Sequence, residues 1–305
     1  MRAIYKRELR SYFGSMYGYI YLAFTLCVIG IYLTINNLLN LTAEMSYTFS
    51  DMSFISIFLI PVLTMRSFAE ERRNKTDMFL LSLPIKPVCI VLGKYLATLT
   101  VFAIPVAVMS IYGLVLRLFS DDAVLLGSIG TSLVAAIAYI LLGALLIAIC
   151  MFISSLTDSV VLAAVGGFAA VLALWGIDYV GIIFNYADLL FPDQASLISF
   201  IGLVLLCALF ALVAGLLSKS LTVGMITAAA TVIPLSGVYV FCSYKFPEAF
   251  EGLLSKVLTH LSAFATFSSM TLGAFNLSGL VFFASAIFLC VYMTVQTLER
   301  RRWNS

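Results

Sequence analysis

Residues 124–154 read VLLGSIGTSLVAAIAYILLGALLIAICMFIS, thirty-one positions without one charged side chain. A helix gains 1.5 Å per residue, so about 20 apolar residues cross the roughly 30 Å of hydrocarbon in a bilayer. This run is long enough and apolar on every side, and a helix of that kind has no face to offer water. Working outward, seven further apolar segments of comparable length follow the same pattern: 17–39, 52–69, 88–117, 158–180, 195–217, 221–244 and 277–298. Polar residues are confined to the breaks between them.

The composition agrees. Apolar residues make up 63% of 305 positions, charged residues 10%, and the mean hydropathy is +1.11. Soluble domains carry about 25% charge. The expected fold is therefore all-α: a single polytopic membrane domain spanning 1–305, with about eight transmembrane helices. Segments 195–217 and 221–244 are separated only by Ser218-Lys219-Ser220, so a tight turn or one long broken helix would fit there. The basic N-terminus precedes a first apolar run too long for a signal h-region and with no small-x-small site after it, which predicts an uncleaved first span.

With eight spans both termini share a side. Placing the N-terminus inside assigns 14 Lys and Arg residues to cytoplasmic segments and leaves only Arg117, Lys245 and Lys256 outside, so the positive-inside rule puts both termini in the cytoplasm. A net charge of +2 offers no general field for nucleic acid. Six cysteines are scattered singly, without a C-x-x-C pair, and neither a zinc site nor a disulfide framework is expected.

Three stretches stand out from the spans. In residues 2–17, Tyr5, Leu9, Tyr12 and Met16 form one stripe on a helix, with Lys6, Arg7 and Arg10 on an adjoining face. That pattern predicts an interfacial helix whose cations meet anionic headgroups. In 66–87, the charged run Arg66, Glu70, Glu71, Arg72, Arg73, Lys75, Asp77 is followed by Met78-Phe79-Leu80-Leu81 and Pro84. A solvated topogenic loop accounts for the charges, but a short helix with an apolar face, suited to docking a soluble protein, also accounts for the four apolar residues. Asn74 and Asp77 are spaced as a capping pair for it. In 245–276, Phe250, Leu253, Leu254, Val257, Leu258, Leu261 and Phe264 repeat with helical period opposite Glu251, Lys256 and His260. An outer amphipathic helix lying on the surface or a re-entrant region would each satisfy that period.

Machinery for chemistry is lacking. No G-x-x-x-x-G-K-[ST] loop, H-E-x-x-H or G-x-S-x-G motif occurs, and the chain holds one histidine. The span interiors carry no paired carboxylates, and Lys94 and Arg117 sit near opposite ends of the third span, where snorkelling to the interface is expected. A secondary carrier or channel is therefore disfavoured, and any transport needs energy from elsewhere.

In three places the residues resemble the membrane subunit of ABC-2 type transporters, of the gliding-motility and nitrous-oxide-reductase-maturation branch. Tyr5-Lys6-Arg7-Glu8-Leu9 looks like the family's opening elbow helix, here residues 1–16. Arg66-Ser67-Phe68-Ala69-Glu70-Glu71-Arg72-Arg73, Thr76 and Leu80-Leu81-Ser82-Leu83-Pro84-Ile85 are similar to its R-x-F-A-E-E-[RK]-x-x-G-T…L-L-x-x-P-[IV] loop and run on into Val91-Leu92-Gly93-Lys94-Tyr95. Leu298-Glu299-Arg300-Arg301-Arg302-Trp303 looks like the same branch's end. Lys75 stands where that pattern has glycine, and the pair at 195–244 is additional to the family's usual six spans.

The resemblance implies a permease of an exporter in the bacterial plasma membrane, dimeric with an identical or different partner. Cytoplasmic ABC ATPase subunits would bind ATP and Mg, and this chain would bind no cofactor. It also implies that 66–87 is the coupling element, with Arg66, Phe68, Glu70, Glu71, Arg72, Arg73, Thr76, Asp77, Leu80 and Leu81 facing the ATPase. The alternative is a non-transporting scaffold or sensor that recruits cytoplasmic proteins through the same loop.

Overall fold

The computed structural model describes residues 1–40, 44–76, 86–118, 125–190, 262–271 and 276–304, together with positions 204, 258 and 260. All its regular elements are helices: α1 Arg2–Gly14, α2 Met16–Leu33 continued by a π-helical turn Thr34–Leu38, α3 Ser46–Thr64, α4 Arg66–Arg73, α5 Pro87–Leu118, α6 Leu125–Leu156, α7 Val160–Leu190, α8 Ala263–Thr271 and α9 Leu277–Asn304. They fall into two compact units, Met1–Leu174 with Thr266–Ser305, and Trp175–Ala265.

Six helices among the described residues are long and apolar enough to cross a membrane: Met16–Leu38, Ser46–Arg73, Pro87–Leu116, Gly130–Leu156, Val160–Ile183 and Leu277–Arg302. They correspond to six of the eight expected spans. The segments 195–217 and 221–244 lie outside the described residues, as do 77–85 and most of 245–276. Of that outer amphipathic stretch, Phe264 falls in α8.

The first unit is organised around α6, which packs against α3, α4, α5 and α9. The hydrophobic segment that announced the fold is thus also its centre, with Ala138, Leu142, Leu146 and Ile147 fully buried. The aromatic core gathers on Tyr139, whose ring lies 5.7 Å from Phe49, 5.4 Å from Phe102 and 6.3 Å from Phe267. Its hydroxyl is paired with Ser56 Oγ at 2.7 Å, as a polar atom in a hydrocarbon-like interior requires. Gly143 is where α5 and α6 close up, because a Cβ there would run into the Phe102 ring. Outward, Phe24, Ile31, Ile111 and Phe288 are more than half exposed, the inverse of a soluble protein and the expected lipid-facing surface.

Each end of the unit has its own polar contacts. At one end the Asn37 side chain donates to the Glu44 carbonyl at 2.9 Å and accepts from Thr48 Oγ1 at 2.7 Å, while Asn36 donates to Asp51 at 2.7 Å. The other end collects α1, α4, the start of α5, the α6–α7 turn and the end of α9.

Candidate functional site

Of the stripe expected on α1, Tyr5, Leu9 and Tyr12 are half-buried, and the two tyrosines meet α5. Ile4 is buried and sits where a Cβ on Gly93 of α5 would fall within 3.0 Å of it. The Tyr5 hydroxyl donates to Thr100 Oγ1 at 3.3 Å, and the Tyr12 hydroxyl is 3.2 Å from Thr98 Oγ1. Burial pushes the Tyr12 phenol up to about 12, so it remains a donor at physiological pH. Lys6, Arg7 and Arg10 are exposed, in keeping with the basic face read from the sequence. Met16 is 79% exposed and leaves the stripe because α2 starts there after an extended Ser15.

Docking α1 on α5 brings four charges from three helices into a closed ring. Arg7 bonds both Glu8 and Glu71 at 2.7 Å, and Lys94 reaches the same Glu8 oxygen at 3.2 Å and the same Glu71 oxygen at 3.0 Å. Two cations and two carboxylates alternate and sum to zero. Lys94 also donates to the Ser67 carbonyl at 2.7 Å and lies 5.2 Å from the centre of the Phe68 ring. It does not snorkel: at 1% exposure it is among the largest fully buried side chains. The reason is position. Seven residues into α5, about 10 Å along the axis, it finds two carboxylates closer than water. At Arg7, partial burial opposes the charge, but the hydrogen bonds and fields of Glu8 and Glu71 outweigh it and hold the guanidinium above its usual pKa.

Of the charged loop expected at 66–87, residues 66–73 are helix, with α4 following directly on α3. Its residues divide among three directions. Phe68 is buried beside Lys94, and Glu71 joins the ring. Arg72, the next residue, points to the other flank, donating to the Thr157 carbonyl at 3.3 Å and pairing with Asp158 at 3.5 Å, which Arg301 of α9 also meets at 3.6 Å. Arg73 is exposed. Arg66 and Glu70 pair along the helix at 3.8 Å, and the Arg66 guanidinium lies 4.0 Å over the Tyr17 ring. A cavity of about 380 Å³ opens over the ring, lined by Arg7, Tyr12, Arg66, Glu70, Glu71 and Lys94 among others.

The helix ends after Arg73 in a Schellman arrangement. The Thr76 N–H donates to the Glu71 carbonyl and the Lys75 N–H to the Arg72 carbonyl, both at 2.9 Å. Lys75 takes φ 55°, the left-handed conformation that glycine adopts without cost. Asn74 closes α4, its N–H donating to the Glu70 carbonyl at 3.0 Å, and the helix it was expected to cap lies outside the described residues. The Thr76 hydroxyl donates to the Glu71 carbonyl at 3.2 Å. Asp77, Leu80 and Leu81 lie outside the described residues.

Glu8, Lys94, Asp158 and Arg301 had not been picked out as site residues. One signal was present: a lone lysine inside an apolar span is costly and implies a carboxylate partner. Among the described residues, no group of three or more His, Cys, Asp or Glu side chains is placed to hold a metal ion.

A sequence model of the ABC-2 family transporter protein matches residues 10–220, from α1 through α7 and beyond. That stretch is more than two thirds of the chain and includes α4. The chain belongs to the ABC-2 transporter family. It is therefore an ABC-2 membrane protein, a permease component with transmembrane helices, and permeases of this family generally dimerise and work with cytoplasmic ATPase subunits. No curated protein matches this ABC-2 chain.

Proposed function

We propose that this ABC-2 permease moves a substrate outward across the plasma membrane, driven by ATP and Mg bound on separate ATPase subunits. α4 and the segment after it, through residue 87, act as the coupling element. The observation that carries the reading is the anchoring of α4. Glu71 ties it to α1 and α5, and Arg72 ties it to the α6–α7 turn and α9. A push on α4 is thereby delivered to most of the bundle at once. Arg66, Glu70, Arg73 and Thr76 remain on the accessible side for a partner, and the coupling role is extended to Asp77, Leu80 and Leu81.

In this reading both termini are cytoplasmic, α1 is an elbow helix with Lys6 and Arg10 toward anionic headgroups while Arg7 is held by Glu8 and Glu71, and 195–244 completes eight spans. The chain is placed in this reading with the gliding-motility and nitrous-oxide-maturation permeases it resembles, and a second permease completes the transporter. Apolar span interiors favour a lipid-like or amphipathic cargo.

The test is co-expression with candidate ABC ATPase subunits and purification of the complex. We expect a stable assembly whose ATP hydrolysis exceeds that of the ATPase alone. Glu70→Ala with Arg73→Ala should reduce that stimulation at least several-fold. Unchanged assembly and stimulation in that double variant would remove the coupling assignment, and an assembly indifferent to ATP turnover would favour a membrane scaffold.

A further inference from the structure

We propose that the α3–α4 junction is the hinge on which the coupling element turns, and that Ser154 of α6 is the positioning residue that sets it. The proposal rests on α4 being the coupling element and adds how its angle is held. At Met65 the helical ladder is interrupted, and side chains from other helices serve the backbone groups set free. The Tyr17 hydroxyl donates to the Val62 carbonyl and the Tyr12 hydroxyl to the Leu63 carbonyl, both at 3.3 Å. Ser154 Oγ donates to the Met65 carbonyl at 3.1 Å and accepts from the Phe68 and Ala69 N–H groups at 3.3 and 3.2 Å. A serine hydroxyl can donate once and accept twice, so Ser154 is used to capacity at a site that is 0% exposed.

The oxygen is inserted where a continuous helix would join Ala69 N–H to the Met65 carbonyl alone. Side-chain insertion into the ladder is a recognised cause of helix bending. What makes this junction a hinge is that a second arrangement also satisfies the groups that Ser154 serves. Phe68 N–H and Ala69 N–H can take the Thr64 and Met65 carbonyls as in a continuous helix, while Ser154 turns its hydroxyl back to the carbonyl four residues earlier in α6, as serines in helices do. Neither arrangement orphans a polar group in the membrane, so neither carries the large penalty that would lock the junction. Pro61, one turn before, accepts the Met65 N–H at 2.9 Å and has no N–H of its own, which loosens the last turn of α3.

Pulsed EPR distances between spin labels at Arg73→Cys and Val161→Cys, in a chain otherwise lacking cysteines, test the hinge directly. α4 has 8 residues, about 12 Å of helix, and a change of 20° at its base moves the tip by roughly 4 Å. Ser154→Ala and Ser154→Val, which lack the hydroxyl, should shift the mean distance by that order. Ser154→Thr, isosteric with the valine variant, should keep the original distance. A wild-type distance in the valine and alanine variants overturns the proposal, and so does a shift in the threonine variant as large as in valine. The measurement needs no ATPase, so a shift with no assembly in any variant would sink the coupling reading and leave the hinge standing. With the ATPase present, the valine variant should assemble yet lose stimulation, with threonine restoring it.

Discussion

Lys94 is the residue on which the cytoplasmic-end geometry turns. Its ammonium has left water and is compensated by two carboxylates and one carbonyl. A buried ion pair adds little against a well-packed apolar alternative, yet stripping away one partner strands the rest. Lys94→Met leaves Glu8 and Glu71 sharing Arg7, which is itself half exposed. We expect a loss of about 3 kcal/mol, the usual cost of breaking a buried pair, read from thermal unfolding of the purified protein. Glu71→Gln in the same chain should return part of that loss, because the orphaned charge is then gone. Additive losses in the double variant would mean that the two groups do not interact as the 3.0 Å contact requires.

At the scale of elements, α4 separates what a sequence displays from what it conceals. Its existence as a short charged segment after the second span was legible, as were six spans whose ends fall within a few residues of the apolar runs. A bilayer makes that pattern compulsory, because no other backbone can cross it. The partners of α4 were not legible. Glu71 and Lys94 are 23 positions apart, and Glu8 lies in a different helix; periodicity assigns a face to each and says nothing of which faces meet. For that reason the sequence points Lys94 to the interface, and it shows no sign that Tyr5 and Tyr12 of the α1 stripe meet α5. One departure became intelligible only with the backbone known. Lys75 occupies the glycine position of the family pattern and takes the left-handed φ of 55° that explains the preference. Lys75→Gly should stabilise the end of α4 by about 1 kcal/mol, the cost of a side chain in that conformation. Slower tryptic cleavage at Arg72 and Arg73 in the glycine variant would report it. Lys75→Val should act in the opposite direction, and equal cleavage in all three proteins would show that the cap does not hold the helix.

Across the whole first unit, charge is segregated by end. The ring of Arg7, Glu8, Glu71 and Lys94 and the bridge of Arg72, Asp158 and Arg301 draw α1, α4, α5, the α6–α7 turn and α9 to one end. Asn36, Asp51 and the π-turn of α2 mark the other. Helices that alternate in direction bring these residues together only if the first, second and last spans begin or finish on that same side. The end rich in arginine and lysine should be the cytoplasmic one, since cations resist translocation during insertion. Tracing the ion pairs gathers the cations at one end, and the proposed orientation of that end rests on the same positive-inside rule as the charge count. Single cysteines placed at Lys6, Asn74 and Tyr47, again in a chain without its native thiols, would decide it. Tyr47 is 63% exposed at the other end. A membrane-impermeant maleimide should label the Tyr47 position in intact cells, and the Lys6 and Asn74 positions only in inverted vesicles. Labelling of Asn74 from outside would turn the bundle over, leaving α4 on the side where no ATPase could reach it.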